Sequence, residues 1–464
     1  MTGLGSGETL LAIDFRPATG QLYGVSSASR LYVINQNTGV ARAIGAGPFT
    51  PALGGNLVGF DFNPTVDRIR LVTSTGQNLR LNPETGTVAN TDGAINGAAG
   101  ATLTGVAYTN NTTKAATTIL YDLDPVTDQL YRQDPPNDGA LIAVGSLSLN
   151  ITGNGGFDID AKTGTALGLY AVNGNPTLFT VDLTTGAARP LAQYAASLDY
   201  SGIAIPTQPV MYAVGFITIS GRSTVNYLYT FDPTQTSGST TVGIGLARNE
   251  EIKGLDFRPA TSQLYALVIG LGGRFLDGTI FNDSYRLYTI DLITGAATRV
   301  VDLSIPLPYS VRYAFDFDPV TDRIRIVAAG RQNLLVNPSN GTVTVEGDVT
   351  ANVGGLAYDN SYAGATSTTL YAIGNNKLYI QNPPSAGTLT EIGTIGLNGF
   401  STPVTINLFD IGGTTNTAYG FTIGGNNKNI VSSLDLATHT ATYLRNLDLA
   451  GGPFVYAVAV APGF

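Results

Sequence analysis

The stretch Phe60–Val88, FDFNPTVDRIRLVTSTGQNLRLNPETGTV, returns without a gap at Phe315–Val343 as FDFDPVTDRIRIVAAGRQNLLVNPSNGTV, with 17 of 29 positions identical. A gapless internal repeat of this length restricts the chain to architectures that use one unit many times. At a coarse level, residues 10–205 pair with 252–464. LAIDFRPATGQLY (11–23) answers GLDFRPATSQLY (254–265), RLYVINQNTG (30–39) answers RLYTIDLITG (286–295), and LTGVAY (103–108) answers VGGLAY (353–358). A tandem duplication is therefore expected, with one copy over residues 1–206 and the other over 207–464.

The finer repeat is a unit of roughly 45–55 residues that reads as four short strands, A to D. In the first unit A is Leu11–Phe15, B is Gln21–Val25, C is Arg30–Asn35 and D is Val40–Ile44. The A–B link is a Pro-containing turn such as Asn63-Pro-Thr-Val-Asp67, where proline presets φ. The C–D link begins with Asn or Asp and usually closes on Gly, as at Gly39, Gly86, Gly186, Gly295 and Gly341. That pattern predicts a type I turn followed by a left-handed residue. Glycine at 57 residues, with only 12% charged residues and 43% hydrophobic ones, suits many short strands joined by tight turns.

Four-stranded antiparallel units at this period predict an all-β chain of the β-propeller class, in which radial repetition removes most exposed sheet edge. Strand A recurs around Ile13, Phe60, Val106, Phe157, Ile203, Leu255, Phe315, Leu356, Phe409 and Val458, which gives about five blades per copy. The second copy opens with three strands, near Met211–Val214, Tyr227–Phe231 and Thr241–Ile244, and ends on the lone strand Val455–Ala461, so the two ends are expected to share a fifth blade. The first copy has a closing strand, Ser201–Pro206, without the opening three, and these are expected upstream of Met1. Alternatively Ser201–Pro206 hairpins with Val210–Val214, a pairing that the short connection favours. Two five-bladed rings, the reading preferred here, and one large ring of about ten blades both remain open.

Chemistry is sparse. With no cysteine and one histidine, His439, thiolate catalysis, Ser-His and Cys-His nucleophiles and multi-His zinc sites are excluded. His439 stands where other units carry the turn glycine, and is read as a turn residue. A net charge of −9 without a Lys/Arg cluster excludes nucleic-acid binding. No apolar run approaches the roughly 18 residues of a membrane span, so no membrane insertion is expected. The recurrent carboxylates Asp14, Asp61, Asp158, Asp256, Asp316 and Asp410 near the end of strand A are the sharper signal. Asp14, Asp61, Asp256 and Asp316 are the candidate calcium ligands, since converging carboxylates supply hard oxygen donors. Otherwise each Asp bonds turn amides or pairs with an arginine of strand B, Asp61 with Arg70 and Asp316 with Arg325. Those arginines stand where other units carry Tyr23, Tyr131 and Tyr265, which predicts packing between blades with the stem buried.

The combination DFRPATGQLY, DFNPTVDRIRLV and QNLRLNPETGTV resembles the bacterial domain-of-unknown-function family numbered 4394, found in exported proteins. The resemblance covers essentially the whole chain twice. It implies a propeller-like fold and an extracellular or cell-surface location, and carries no activity, cofactor or catalytic residue. Met1-Thr-Gly-Leu-Gly-Ser-Gly is not itself a signal peptide.

Function on repeated scaffolds concentrates in variable loops. The B–C segment Gly270–Tyr285, GLGGRFLDGTIFNDSY, replaces a link of only Ser26–Ser29 in the first copy, Gly215–Asn226 is read as another long B–C loop, and Ser304–Arg312 is a Pro- and Tyr-bearing D–A link. Arg274, Phe275, Asp277, Phe281 and Tyr309 are the candidate binding residues there. The expected function is a non-enzymatic binding or structural module for glycan or extracellular protein, without cofactor. The alternative is a calcium-dependent hydrolase or lyase.

Overall fold

A computed structural model describes every residue except 199, 201, 221–222, 248, 271, 275–279, 282, 309–312, 329–330, 402–403, 424–428 and 450–454. The described residues are almost wholly β and form two compact units, Met1–Gln208 and Pro209–Phe464. None of their helices is long and apolar enough to cross a membrane.

The first unit holds four antiparallel four-stranded sheets, each a meander in chain order. The first runs Leu10–Phe15, Leu22–Ser26, Leu31–Ile34 and Ala41–Ile44, within a residue or two of the strands expected from the pattern. Strand A of the later sheets is Val58–Asn63, Gly105–Tyr108 and Thr152–Ile159. Each strand A lies against the next along the chain.

Besides one two-stranded sheet, the described residues of the second unit form five sheets of four or five strands, with strand A at Glu250–Arg258, Ala314–Asp318, Gly355–Tyr358, Leu408–Ile411 and Val455–Val460. The last of these completes a sheet begun at the opposite end of the unit. Val455–Val460 pairs antiparallel with Met211–Gly215, which continues through Ser223–Phe231 to Thr240–Gly243. Val455–Val460 also lies against the A strands Leu408–Ile411 and Glu250–Arg258. The sheet containing Leu408–Ile411 gains a short fifth strand, Gly396–Asn398, parallel to Thr440–Leu447.

Two expectations are corrected here. Val210–Val214 does not hairpin with Ser201–Pro206: Met211–Gly215 takes the strand Val455–Val460 instead, and Gly202–Val210 form no strand. Gly215–Asn226 is not a loop, because strands Met211–Ser220 and Ser223–Phe231 stay paired out to Ser220 and Ser223. Alternating Thr, Ile and Ser disguised this hairpin as irregular polar sequence.

The turns follow their chemistry. Asn35, Asn82, Asp182, Asp291 and Asp435 each accept the amides two and three residues on. Gly86 closes its turn at φ 68°, and a Cβ there would stand 2.4 Å from Ile44 O of the preceding sheet, so this glycine serves both the turn and the sheet contact. His439 takes φ 56° in the glycine's place, as expected, and its ring packs on Gly393. Cores form between neighbouring sheets: Tyr23 of the first packs edge-on to Phe62 of the second at 5.1 Å, and Tyr265 meets Phe317 in the same way at 5.3 Å.

Candidate carboxyl site

Strand A ends in Asp-Phe in several sheets, which turns the Asp side chain toward the neighbouring strand A. The outcome is one arrangement built twice. In the first unit Asp14 Oδ2 accepts Phe62 N at 2.8 Å, Asp61 Oδ1 accepts Tyr108 N at 3.1 Å and Asp158 Oδ2 accepts Ile205 N at 2.5 Å. In the second, Asp256 Oδ2 accepts Phe317 N at 2.8 Å, Asp316 Oδ1 accepts Tyr358 N at 3.0 Å and Asp410 Oδ2 accepts Val460 N at 2.6 Å. Five of the six carboxyls therefore tie their own strand A to another, and Asp158 ties its strand A to the extended segment at Ile205. Asp14, Asp158, Asp256 and Asp410 also accept the amide of the following residue through Oδ1.

The side chains converge. Asp14, Asp61 and Asp158 present carboxylate oxygens within 4.8 Å of one another, as do Asp256, Asp316 and Asp410, and all six residues are buried. The sequence pointed to Asp14, Asp61, Asp256 and Asp316 as ligands; Asp158 and Asp410 complete the two groups. Ala107 and Ala357 stand at the same place in the third sheet of each triad's series, next to Tyr108 and Tyr358, whose amides bond Asp61 and Asp316. Above the first triad's strands, Ile13, Phe60, Val106, Phe157 and Ile203 line a cavity of about 10 Å³, room for a single water.

Burial away from water raises the proton affinity of all six. Asp14, Asp61, Asp256 and Asp316 are pushed well above the ordinary carboxyl range, by burial first and by the neighbouring carboxylates second. Burial raises Asp158 and Asp410 to about 7, while two backbone amides favour the charged form of each and no other carboxylate of the triad pushes them further. Between Asp316 and Asp410 the interaction raises the proton affinity of Asp316 and lowers that of Asp410. In each triad five of the six oxygens accept a backbone amide. Such a group holds strands together by shared protons and amide donors, and a cation would have to displace those protons to enter.

The expected pairing of Asp61 with Arg70 and of Asp316 with Arg325 does not form. The residues face each other across strands A and B, but the guanidinium groups point outward between sheets. Arg70 reaches Asp92 at 2.6 Å, Asn78 at 2.7 Å and Asn137 at 2.8 Å; Arg325 reaches Glu346 and Asn333. Asp92 and Glu346 lie in the links leaving strand D, where no periodic signal marks a partner. The packing role expected for both arginines stands, with Arg70 only 1% exposed. A second tie, missed in the sequence, joins successive A–B turns: Arg16 pairs with Asp67 and Arg258 with Asp322. Its signal was the paired FRPAT motif followed one unit later by the turn aspartate.

The loop candidates fare differently. Phe275, Asp277 and Tyr309 lie outside the described residues, and of Arg274 and Phe281 only the backbone is described. Gly273–Arg274 pairs with Ile280–Phe281, so the segment between strands Gln263–Gly270 and Ser284–Ile290 contains a small hairpin of its own.

With this geometry in place, comparison with known proteins adds the decisive observation: residues 1–204 and 227–454 match the domain of unknown function DUF4394. The chain belongs to the DUF4394 family. It carries two tandem DUF4394 copies, as the repeats imply. No curated protein matches it. Among solved structures, DUF4394 is similar to a chain of a nidogen/laminin complex, at 13% identity over 55% of this chain and 98% of the other, with a TM-score of 0.30. It is also similar to PorZ of Porphyromonas gingivalis, a bacterial surface component of the type-IX secretion system, at 13% identity over 94% of this chain and 53% of that one, TM-score 0.27. A third likeness is the Malassezia sympodialis allergen Mala s 1, at 12% identity over 53% and 81%, TM-score 0.29. Resemblances this slight carry no argument about function.

Proposed function

We propose that each DUF4394 copy is a β-propeller-like array of sheets, five in the second unit, and that the chain is a non-enzymatic, exported or cell-surface binding module for glycan or extracellular protein. Radial arrangement is supported by the order of the A strands in the second unit, where Val455–Val460 neighbours both Leu408–Ile411 and Glu250–Arg258. The observation that carries the function is where polar chemistry is spent. The buried carboxyls and arginines are taken up between sheets, whereas the second unit carries two long B–C hairpins, Met211–Ser220 with Ser223–Phe231 and Gln263–Gly270 with Ser284–Ile290, the latter longer than its first-copy counterpart Leu22–Ser26 with Leu31–Ile34. Lengthened hairpins on a rigid scaffold are a common way to present a recognition surface.

The test is a glycan and matrix-protein binding screen on the full chain and on a variant in which residues 270–284 are replaced by the short link 26–29. Binding lost at unchanged thermal stability is expected. Binding that survives both this replacement and Arg274→Ala/Phe281→Ala would remove the hairpin face from consideration. Absence of any ligand on the intact chain would sink the binding role itself.

A further inference from the structure

The duplication allows each place in one unit to be compared with its counterpart in the other. In the second unit Val455–Val460 is covered on one edge by Met211–Gly215, and Val458, Ala459 and Val460 are 6%, 0% and 3% exposed. The corresponding segment of the first unit is Ile203-Ala204-Ile205. It holds the same place: Ile205 N bonds Asp158 Oδ2 as Val460 N bonds Asp410 Oδ2, and Ile203 N comes so close to Gly156 that a Cβ there would stand 2.2 Å away. Yet no strand pairs with it among the described residues, and all three residues remain half-exposed.

The neighbouring face is open in the same way. Ile252, Leu255 and Leu264 are 0%, 2% and 1% exposed in the second unit, while their counterparts Leu10, Ile13 and Leu22 are only half-buried. What covers the second-unit face is known. Asn226 of Ser223–Phe231 donates to Glu250 O and accepts from Ile252 N, and Tyr212 of Met211–Ser220 packs edge-on to Phe257 at 5.5 Å. Of the first unit's N-terminal residues Leu4 packs in one cluster with Leu10, Ile13 and Leu22 around Tyr32 and Ile34, but the segment does not take the place of Met211–Phe231. Thr2 N donates to Gly39 O as Gly245 N donates to Gly295 O, so Thr2 follows the path by which the second unit leaves strand Thr240–Gly243.

We propose that the edge of Ile203–Ile205, with the face formed by Leu10, Ile13 and Leu22, is a docking site for a three-stranded antiparallel polypeptide segment of the pattern seen at Met211–Gly243. Its first strand pairs with Ile203–Ile205, adding β-structure to an unpaired edge. Its second strand carries an amide side chain in the place of Asn226, to bond Leu10 N. The occupant is apolar on the side that meets Leu10, Ile13 and Leu22, as Met211–Val214 is in the second unit.

The experiment supplies this segment to the full chain in two ways: residues 209–243 duplicated directly ahead of Met1, and the same residues coexpressed as a separate tagged polypeptide. Expected are slowed hydrogen exchange at Ile203–Ile205 and Leu10, by at least tenfold, and copurification of the separate segment. Asn→Ala and Tyr→Asp at the segment's equivalents of Asn226 and Tyr212 abolish both effects. An added segment that stays protease-sensitive and leaves those amides unchanged in both formats overturns the proposal. So does an unmodified chain that dimerises and protects the same amides, because a second copy then fills the site.

Discussion

Raising the pH should weaken the fold, and the second triad shows by how much. Asp410 moves from an ordinary 3.8 to about 7 on burial, so the folded state holds a proton that the unfolded state has released. A raised pKa gives stability that is fully present below the unfolded value, near pH 4, and is lost as pH rises through about 7. Each pH unit in that window costs about 1.4 kcal/mol per such group, or on the order of 4 kcal/mol across it. Asp158 acts with the same sign in the first unit. Below pH 4 the trend reverses, because the carboxyls of Asp92 and Asp160 are held low by hydrogen bonds and lose them on protonation. Stability should therefore peak in the mildly acidic range. Urea unfolding followed by circular dichroism at pH 4.5, 6 and 7.5, with hydrogen exchange at the Phe317, Tyr358 and Val460 amides, measures this. Two substitutions separate the cause. Asp316→Asn keeps an acceptor for Tyr358 N, so it should remove that residue's own share of the pH dependence without loss at pH 4.5 and leave the slope due to Asp410. Asp410→Asn sets an amide donor against Val460 N or Ile411 N and should cost about 1–3 kcal/mol at every pH. A profile that is flat or rising from pH 4.5 to 7.5, or two variants that behave alike, would refute the shared-proton account.

Three further outcomes are expected. Gly86→Val should destabilise by more than the roughly 1–2 kcal/mol of a left-handed residue, because its Cβ also meets Ile44 O, whereas Gly164→Val, at φ 69° with nothing within 4 Å, should show the backbone cost alone; equal urea midpoints would contradict the sheet contact. Arg70→Met should cost about 3 kcal/mol, since Asn78 and Asn137 lose a buried donor while Arg80 still holds Asp92; a neutral result would show that the cluster contributes nothing. Millimolar calcium or a chelator should leave the thermal midpoint unchanged, because the triad oxygens already accept amides; a rise of several degrees would replace the structural reading with a metal site.

The parts of the fold visible in the sequence are those fixed by local chemistry. Asx side chains and closing glycines marked the C–D turns, and strand boundaries such as Leu31–Ile34 fell between them because turn residues cannot continue a pleat. The carboxyl groups were visible as a recurrence but not as an arrangement. Asp14 bonds an amide 48 residues away, a relation that no local period encodes. Ala107 and Ala357 in the equivalent place were a usable clue that the recurrence was selective. Arg70 was assigned the wrong partner because facing residues on adjacent strands are the obvious pair, whereas burial drives a guanidinium toward the site with most acceptors. The hairpin through Ser220 and Ser223 was lost to its polar composition, which resembles a loop until the cross-strand register is seen.

The pairing of Val455–Val460 with Met211–Gly215 has a consequence for synthesis on the ribosome. Of the second unit, strands Met211–Ser220, Ser223–Phe231 and Thr240–Gly243 leave the tunnel first and then wait, with one edge bare, until nearly the whole unit has been translated. The sheets between them are meanders of sequential strands and can form as they appear. For that interval the nascent chain carries an aggregation-prone β-edge, which a chaperone or a neighbouring polypeptide can reach before the chain's own last strand arrives.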